Sequence, residues 1–411
     1  MENLIVIENV RQRVDDMFKD AIEKNASDIH IEPQKDYVLV RYRIDWELFP
    51  IFKISNESKD NLITRVKILS QLKIDENRIP QDWQIMFEYK KPEVWKKEDI
   101  DMRVSTFPTL YWEKIVIRIL RKDWNLLNLD RIGFLSINLN LIKKALSFKE
   151  WLILVAWPTW SWKTTTLYAM LNWFDPKKYN ISTLEDPIEY KIPWINQSQV
   201  KPEIGYTFSV GLKTLLRQDP DIILVWEIRD TETAKLAIEA SLTWHLVLWT
   251  IHATKWIGVV ERLVNMWIEP YLIAWSLKMI ISQRLVKRLC NCAELIKFEW
   301  EDFVSDWLDY WKIFKEWLGD SLFNSLKNKI KLRKTKWCDI CFNTGYKWRI
   351  PIHEVVLIDK DFAKLIWKDL NDHLWNDLMI QKWYLNLYQD GLIKVLFWLT
   401  DLKQVLPYKS L

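Results

Sequence analysis

Glycine is nearly missing from this chain, with 7 residues in 411, where ordinary usage of about 7% would supply about 29. So few glycines leave almost nothing to fill the positive-φ positions that tight turns require. Tryptophan runs the other way, at 27 residues, and the two counts together approach an ordinary glycine total plus a few tryptophans. Cysteine is also scarce. Its four residues, Cys290, Cys292, Cys338 and Cys341, exclude a disulfide-dense scaffold. A formal net charge of +4 is too mild to define a nucleic-acid groove by itself. No apolar run approaches the ~18 residues of a membrane span. The opening stretch MENLIVIENVRQRVDDMFKD is amphipathic and charged, unlike a secretory signal, so a cytoplasmic protein is expected.

The tryptophans fall where glycine has work to do. Trp46 in RIDWEL, Trp83 in IPQDWQ, Trp112 in LYWEK, Trp267 in NMWIEP, Trp244 and Trp249 in SLTWHLVLWTIH, and Trp348 in GYKWRI all occupy turn-like points. Tryptophan has no turn propensity, whereas glycine dominates turns. Most of these residues are therefore expected to be glycines in the polypeptide as synthesised. UGA codons decoded as glycine, but written as tryptophan, leave this pattern. Taken literally, the letters describe a tryptophan-rich binding or scaffold protein, or a degenerate ATPase.

The stretch WPTWSWKTTT concentrates the question. With glycine at Trp157, Trp160 and Trp162 it becomes a phosphate-binding loop, G-x-x-x-x-G-K-[ST], ending in Lys163 and Thr164. An indole at each position would fill the volume the phosphates need. The expected nucleotide-binding set is Trp157, Pro158, Thr159, Trp160, Ser161, Trp162, Lys163, Thr164 and Thr165, with crowding around the three tryptophans as written. Lys163 would reach the β- and γ-phosphates and Thr164 would hold Mg²⁺.

Around this loop the chain alternates strand and helix patterns. WLILVA enters the loop as a buried strand and TTTLYAML leaves it as a helix. NISTLED, DIILVWE and HLVLWTIHA read as further strands, and TAKLAIEASL as a helix, which implies a mainly parallel sheet. Ahead of it, YVLVRYRID, DMRVSTFPT and EKIVIRIL alternate as strands beside two helical segments, a small α+β domain. A helical tail is expected from about VVERLVNM to the end. KNKIKLRKTK reads as a solvated basic loop.

Three further constellations carry chemistry. RQDPDIILVWEIRD places Glu227 at the end of an apolar strand, where P-loop enzymes hold Mg²⁺ or orient water. TLEDPIEY clusters Glu185, Asp186 and Glu189 around Pro187, carboxylates able to order a metal shell. His245 and His252 lie at either end of an apolar strand; their odd spacing argues against a shared zinc site and leaves phosphate sensing, subunit coupling or a satisfied hydrogen bond of no functional role. The cysteines come in two pairs, Cys290/Cys292 and Cys338/Cys341, suited to a tetrahedral structural Zn²⁺, with free thiols as the alternative.

Taken with ASDIHIEP, RVSTFPTLYWEKIVIRIL and YQDGLIKVLFWLTDLKQVL, these motifs resemble the secretion ATPase superfamily, the GspE/PilB-like assembly ATPases, over nearly the whole chain. The resemblance implies a RecA-like α/β P-loop ATPase domain with a smaller N-terminal α+β domain and a helical C-terminal tail. It divides the chain into 1–122 (a PAS-like domain), a linker at 123–135, 136–289 (ATPase), 290–345 (tetracysteine insertion) and 346–411. It implies catalytic roles for Glu189, Glu227 and His252, with Arg103 and Arg118 as arginine fingers. Glu185, Asp186 and Glu189 become its Asp box, and His245 and His252 its His box. ATP, Mg²⁺ and structural Zn²⁺ are the implied cofactors.

The implied assembly is a homohexamer at the inner face of the cytoplasmic membrane. It would work on a PilC/GspF-like platform protein, touch the membrane only through partners and bind no nucleic acid. Its output would be assembly of a type IV pilus or type II secretion pseudopilus, with pilus retraction or DNA uptake as the alternatives. A RecA-type nucleic-acid motor would require a basic, aromatic-lined channel. The spacing departs from the family at Cys290 and Cys292, C-x-C in place of C-x-x-C. Many members also carry a further N-terminal docking domain, whereas this chain begins almost at ASDIHIEP.

Overall fold

The computed structural model describes residue 5 and residues 9–90, 97–120, 127–148, 150–156, 163–228, 230–251, 253, 256–296, 332–368 and 372–409. The chain divides into two compact units, Met1–Asp123 and Trp124–Leu411.

The first unit is one antiparallel sheet with two helices. Its strands are β1 (Asp28–Pro33), β2 (Tyr37–Ile44), β3 (Glu47–Ser55), β4 (Asp82–Lys90), β5 (Lys97–Thr109) and β6 (Trp112–Leu120), in the order β3-β2-β1-β6-β5-β4. The alternation that predicts β2 has a direct cause, because Val38, Val40, Tyr42 and Ile44 are buried and the residues between them are not. Helix α1 (Val10–Glu23) is capped by Asn9, whose Oδ1 accepts from the Gln12 N–H at 3.1 Å, and buries Val14, Met17, Phe18, Ala21 and Ile22. Helix α2 (Lys59–Leu69) carries Lys67, which is buried with Glu113 as an ion pair 2.5 Å apart. Strands β3 and β4 escape the sequence reading. β3 buries only Ile54, so it has no apolar alternation to detect.

The second unit is a three-layered α/β/α structure. Its elements are α3 (Ser136–Leu146), β7 (Trp151–Ala156), α4 (Lys163–Leu171), β8 (Ile181–Glu185), β9 (Asn196–Gln199), α5 (Phe208–Leu215), β10 (Ile222–Val225), α6 (Thr231–Ser241), β11 (Leu246–Ile251), α7 (Trp256–Asn265), α8 (Pro270–Ser276), β12 (Leu277–Leu289), β13 (Glu294–Ile296), β14 (Leu332–Lys334), β15 (Tyr346–Leu357), α9 (Lys360–Lys368), α10 (Asp372–Gln381), α11 (Leu387–Leu396) and α12 (Leu402–Val405). The main sheet has the order β15-β12-β7-β11-β10-β8-β9, parallel throughout except for β15. β8, β10 and β11 are buried at every residue, as expected of strands covered on both faces. One core holds residues of α5 to α10; the other holds residues of α3 and α4. This is the α/β architecture expected of a RecA-like domain.

The C-terminal third differs from the expected helical tail. β12 and β15 are long strands paired antiparallel from Met279–Leu357 to Leu289–Tyr346, and the terminal helices begin only at Lys360. Short apolar runs such as LKMIISQRLV satisfy helical and strand patterns alike. Burial inside the sheet decides between them. Pro351 lies in β15, an edge strand, where its missing N–H costs no ladder bond to a further neighbour.

The backbone bears directly on the tryptophans. Among the described residues fifteen non-glycine positions have positive φ, and nine of them are tryptophan: Trp46, Trp112, Trp151, Trp194, Trp244, Trp267, Trp348, Trp383 and Trp398. Residues with a Cβ avoid this region, apart from scattered Asn and Asp. Five of the seven positions singled out in the sequence are among them. Trp83 lies within β4 and Trp249 within β11, so those two are strand residues and not turns. Trp249 and Trp375 are fully buried, and neither indole N–H has an acceptor among the described residues. An orphaned buried donor costs about 1–3 kcal/mol.

Candidate active site

Four parallel strands end side by side. Cα pairing sets Ala156 of β7 against Ile251 of β11, Trp249 of β11 against Val225 of β10, and Val225 against Leu184 of β8. In open α/β sheets, ligands bind at the carboxyl ends of the strands. Here that edge carries the start of α4, Glu185 as the last residue of β8, and Glu227 two residues beyond β10. The ends are laced together, because the Trp226 N–H donates to the Leu184 carbonyl at 2.8 Å and the Thr250 hydroxyl donates to the Trp226 carbonyl.

Helix α4 begins at Lys163. Thr164 is half-buried, Thr165 nearly buried and Thr166 fully buried. Trp157, Pro158, Thr159, Trp160, Ser161 and Trp162, and the crowding expected there, lie outside the described residues; so does His252.

The acidic residues divide by environment. Glu227 is 8% exposed at the sheet edge. Glu185 is fully buried and saturated with donors. Thr183 Oγ1 lies at 2.5 Å, Gln197 Nε2 at 3.0 Å, and the Tyr168 hydroxyl also donates to it. Burial pushes its pKa up despite these donors, and the neighbouring Glu189 carboxylate adds to the rise. The Tyr168 phenol is pushed up as well, by burial and then by the Glu185 charge. Gln197 also donates to the Tyr190 carbonyl at 3.1 Å and accepts from the Ile192 N–H at 2.7 Å. Glu185 thereby anchors the loop that carries Glu189, which is half-buried, while Asp186 is exposed. Tyr168, Thr183 and Gln197 are site residues the sequence reading does not single out; Tyr168 and Thr183 are polar residues inside apolar runs, and Gln197 sits in the polar run NQSQ with no mark of its own.

His245 sits at the amino end of β11, where its Nδ1 donates to the Ala240 carbonyl at 3.0 Å. That is the edge of the sheet opposite the carboxylates, so His245 is not gathered with them.

Arg103 and Arg118 belong to the first unit. They are Cα partners on β5 and β6, and Arg118 Nε donates to Asp28 at 3.2 Å.

The four cysteines, distant in sequence, converge. Their sulfurs lie within 4.8 Å of one another, with Cys290–Cys338 at 3.8 Å, Cys292–Cys341 at 3.9 Å and Cys338–Cys341 at 3.6 Å. Tetrahedral zinc with bonds of about 2.3 Å requires sulfur separations of about 3.8 Å, so the set fits that ion despite the C-x-C spacing. None of the four forms a disulfide. No helix among the described residues is long and apolar enough to cross a membrane.

Comparison with known proteins matches residues 6–407 to the family described as Type II/IV secretion system protein. Type II secretion system protein E of Pectobacterium carotovorum subsp. carotovorum is 37% identical over 391 residues, covering 95% of this chain and 74% of that protein. The type IV pilus assembly ATPase PilB of Thermus thermophilus is 37% identical over 394 residues, covering 96% of this chain and 42% of its own length. Among solved structures, the Legionella pneumophila ATPase DotB superposes with a TM-score of 0.68 at 17% identity, over all of both chains. The pilus retraction motor PilT with bound ADP gives 0.60 at 23%, over 96% of each. These two likenesses establish the fold.

Proposed function

The chain belongs to the Type II/IV secretion system protein family and is an ATP-hydrolysing enzyme, and from that premise we propose how its parts divide the work. The observation that carries the reading is the convergence of the α4 start, Glu185 and Glu227 at the carboxyl edge of one parallel sheet.

In this reading ATP lies on residues 157–165, with Lys163 on the β- and γ-phosphates. Thr164 and the carboxylates across the sheet edge hold Mg²⁺, which when bound neutralises charge on the phosphates. Glu227 and Glu189 orient and deprotonate the attacking water, and Glu185 keeps the Glu189 loop in place. Arg103 and Arg118 neutralise charge developing on the transferred phosphoryl group. His252 senses the γ-phosphate. The cysteine set holds a structural Zn²⁺ within the 290–345 insertion, and 1–122 and 136–289 act as the two moving bodies. Losing the γ-phosphate changes which arrangement of them is favoured.

The assembled motor is a homohexamer at the inner face of the cytoplasmic membrane. It drives a PilC/GspF-like platform protein and so builds a pilus or pseudopilus. The cysteine set favours assembly over retraction.

This chemistry requires glycine at positions 157, 160 and 162. The nine positive-φ tryptophans support glycine at written tryptophans throughout the chain. The test is the mass of the tryptic peptide EWLILVAWPTWSWK, residues 150–163, from protein made by the source organism. Glycine masses at Trp151, Trp157, Trp160 and Trp162 are expected, with Mg²⁺-dependent ATP hydrolysis by the same protein. Tryptophan masses would leave a chain with the family's shape and a blocked site.

A further inference from the structure

A chain of buried hydrogen bonds runs from the first turn of α4 to helix α11, near the end of the chain. The Thr166 hydroxyl donates to Gln283 Oε1 at 2.9 Å. The same oxygen takes a second bond from His353 Nε2 at 3.1 Å. Gln283 and His353 are Cα partners across the β12–β15 ladder. The His353 backbone N–H donates to Asp390 Oδ2 at 3.1 Å. Asp390 pairs with Lys394 at 2.6 Å and accepts from Asn138 Nδ2 on α3 at 3.2 Å. Lys394 also donates to the Pro351 carbonyl at 2.6 Å. Every member is at most 2% exposed.

Such groups are expensive to bury. Each would cost several kcal/mol in an apolar surround without a partner, and packing alone could fill the same space with Leu or Val. The chain also has a direction. A glutamine oxygen only accepts, so both neighbours must donate to it, which fixes His353 as the Nε2–H tautomer. Its Nδ1 has no partner among the described residues. Phe134 stacks on the imidazole with centroids 3.9 Å apart and holds the ring in plane. Thr166 lies three residues after Lys163 and two after Thr164, so whatever fixes its hydroxyl fixes the turn that bears both.

We propose that Gln283 is a positioning residue for phosphoryl transfer, pinning the first turn of α4 to the β12–β15 ladder and, through His353 and Asp390, to α11. It does not touch the nucleotide. It rests on the reading of α4 as the nucleotide helix, and it adds that α11 shares the constraint. A displacement of about 1 Å in a phosphate-binding turn is enough to cost up to a hundredfold in rate.

The experiment uses the full chain with glycine at the positions assigned above, and reads kcat and KM for ATP in Thr166→Val, Thr166→Ser and Gln283→Leu. Valine conserves the volume of threonine and removes only the hydroxyl; serine restores it. The expected result is a kcat about tenfold lower or more in T166V and Q283L, KM changed by less than about threefold, and T166S within about twofold of the parent. Amide exchange across residues 387–396 should slow on adding ATP in the parent and not in T166V. Unchanged kcat in folded T166V, with the nucleotide effect on 387–396 retained, overturns the proposal. If Q283L fails to fold, T166V decides alone. A parent chain without any hydrolysis would instead sink the ATPase site reading, and the positioning role with it.

Discussion

Arg103 and Arg118 stand directly opposite each other on β5 and β6, two like charges brought together by strand register. Directly opposed like charges destabilise a sheet. Part of that cost is offset by Asp28, which takes Arg118 Nε at 3.2 Å and lies 3.8 Å from Arg43. Replacing Arg118 or Arg103 by alanine should lower kcat about a thousandfold while leaving the thermal midpoint within a few degrees. Phosphate-release assays beside circular dichroism check this. Ordinary strand arginines would leave the rate untouched.

Glu227 and Glu185 should fail differently. Glu227→Gln is expected to lose about a hundredfold or more in hydrolysis and still bind nucleotide. Glu185→Ala removes the acceptor of the Tyr168 and Thr183 hydroxyls, while Gln197 keeps the Tyr190 carbonyl, so its loss should appear first as stability, about 1–3 kcal/mol for each group left unpaired. Urea denaturation and nucleotide-binding titrations separate the two. A Glu185→Ala chain of parental stability would show that the carboxylate does not anchor the loop.

The cysteine cluster predicts one zinc per chain by elemental analysis. Cys292→Ser should reduce the bound metal, and a strong chelator should lower the thermal midpoint while ATP still binds. Metal-free protein of unchanged stability, with four thiols that titrate freely, would exclude a structural ion.

His353 makes stability depend on pH. Burial, and then the Lys394 ammonium, hold its pKa well below the ordinary 6.5. The native state therefore refuses a proton that the unfolded chain accepts below that value. The stability is complete above pH 6.5 and is lost as the pH falls, by about 1.4 kcal/mol per unit for this one group. Denaturation curves between pH 5 and 7.5 should show that slope in the parent and a shallower one in His353→Gln. Identical slopes would mean that the imidazole takes up its proton as readily in the fold as in the unfolded chain.

Trp194, Trp244 and Trp267 combine positive φ with high exposure, at 77%, 78% and 82%. Burial cannot compensate their strain. Written as tryptophan and changed singly to glycine, each should gain about 1 kcal/mol or more, whereas alanine, which keeps a Cβ, should gain little. Thermal melts of the three pairs decide it, and equal gains for glycine and alanine would remove backbone strain as the cause.

Much of this molecule was legible in its letters because the signals are local. Apolar runs such as WLILVA, ISTLE and HLVLWTI mark the parallel strands, since strands buried on both faces need no polar residue. Glu227 stands out by its place at the end of an apolar run, and the misplaced tryptophans by what a Cβ forbids at a turn. Tertiary structure decided the rest. LKMIISQRLV became a strand because β7 and β15 flank it. His245 fell at the far edge because a strand of six residues separates it from the site. Glu185 proved an anchor because three donors from separate elements converge on it, and four cysteines met across a long insertion. Thr166, Gln283, His353 and Asp390 lie in four different elements. No periodicity links them, and only the packing of α4, β12, β15 and α11 puts their polar atoms within reach of one another.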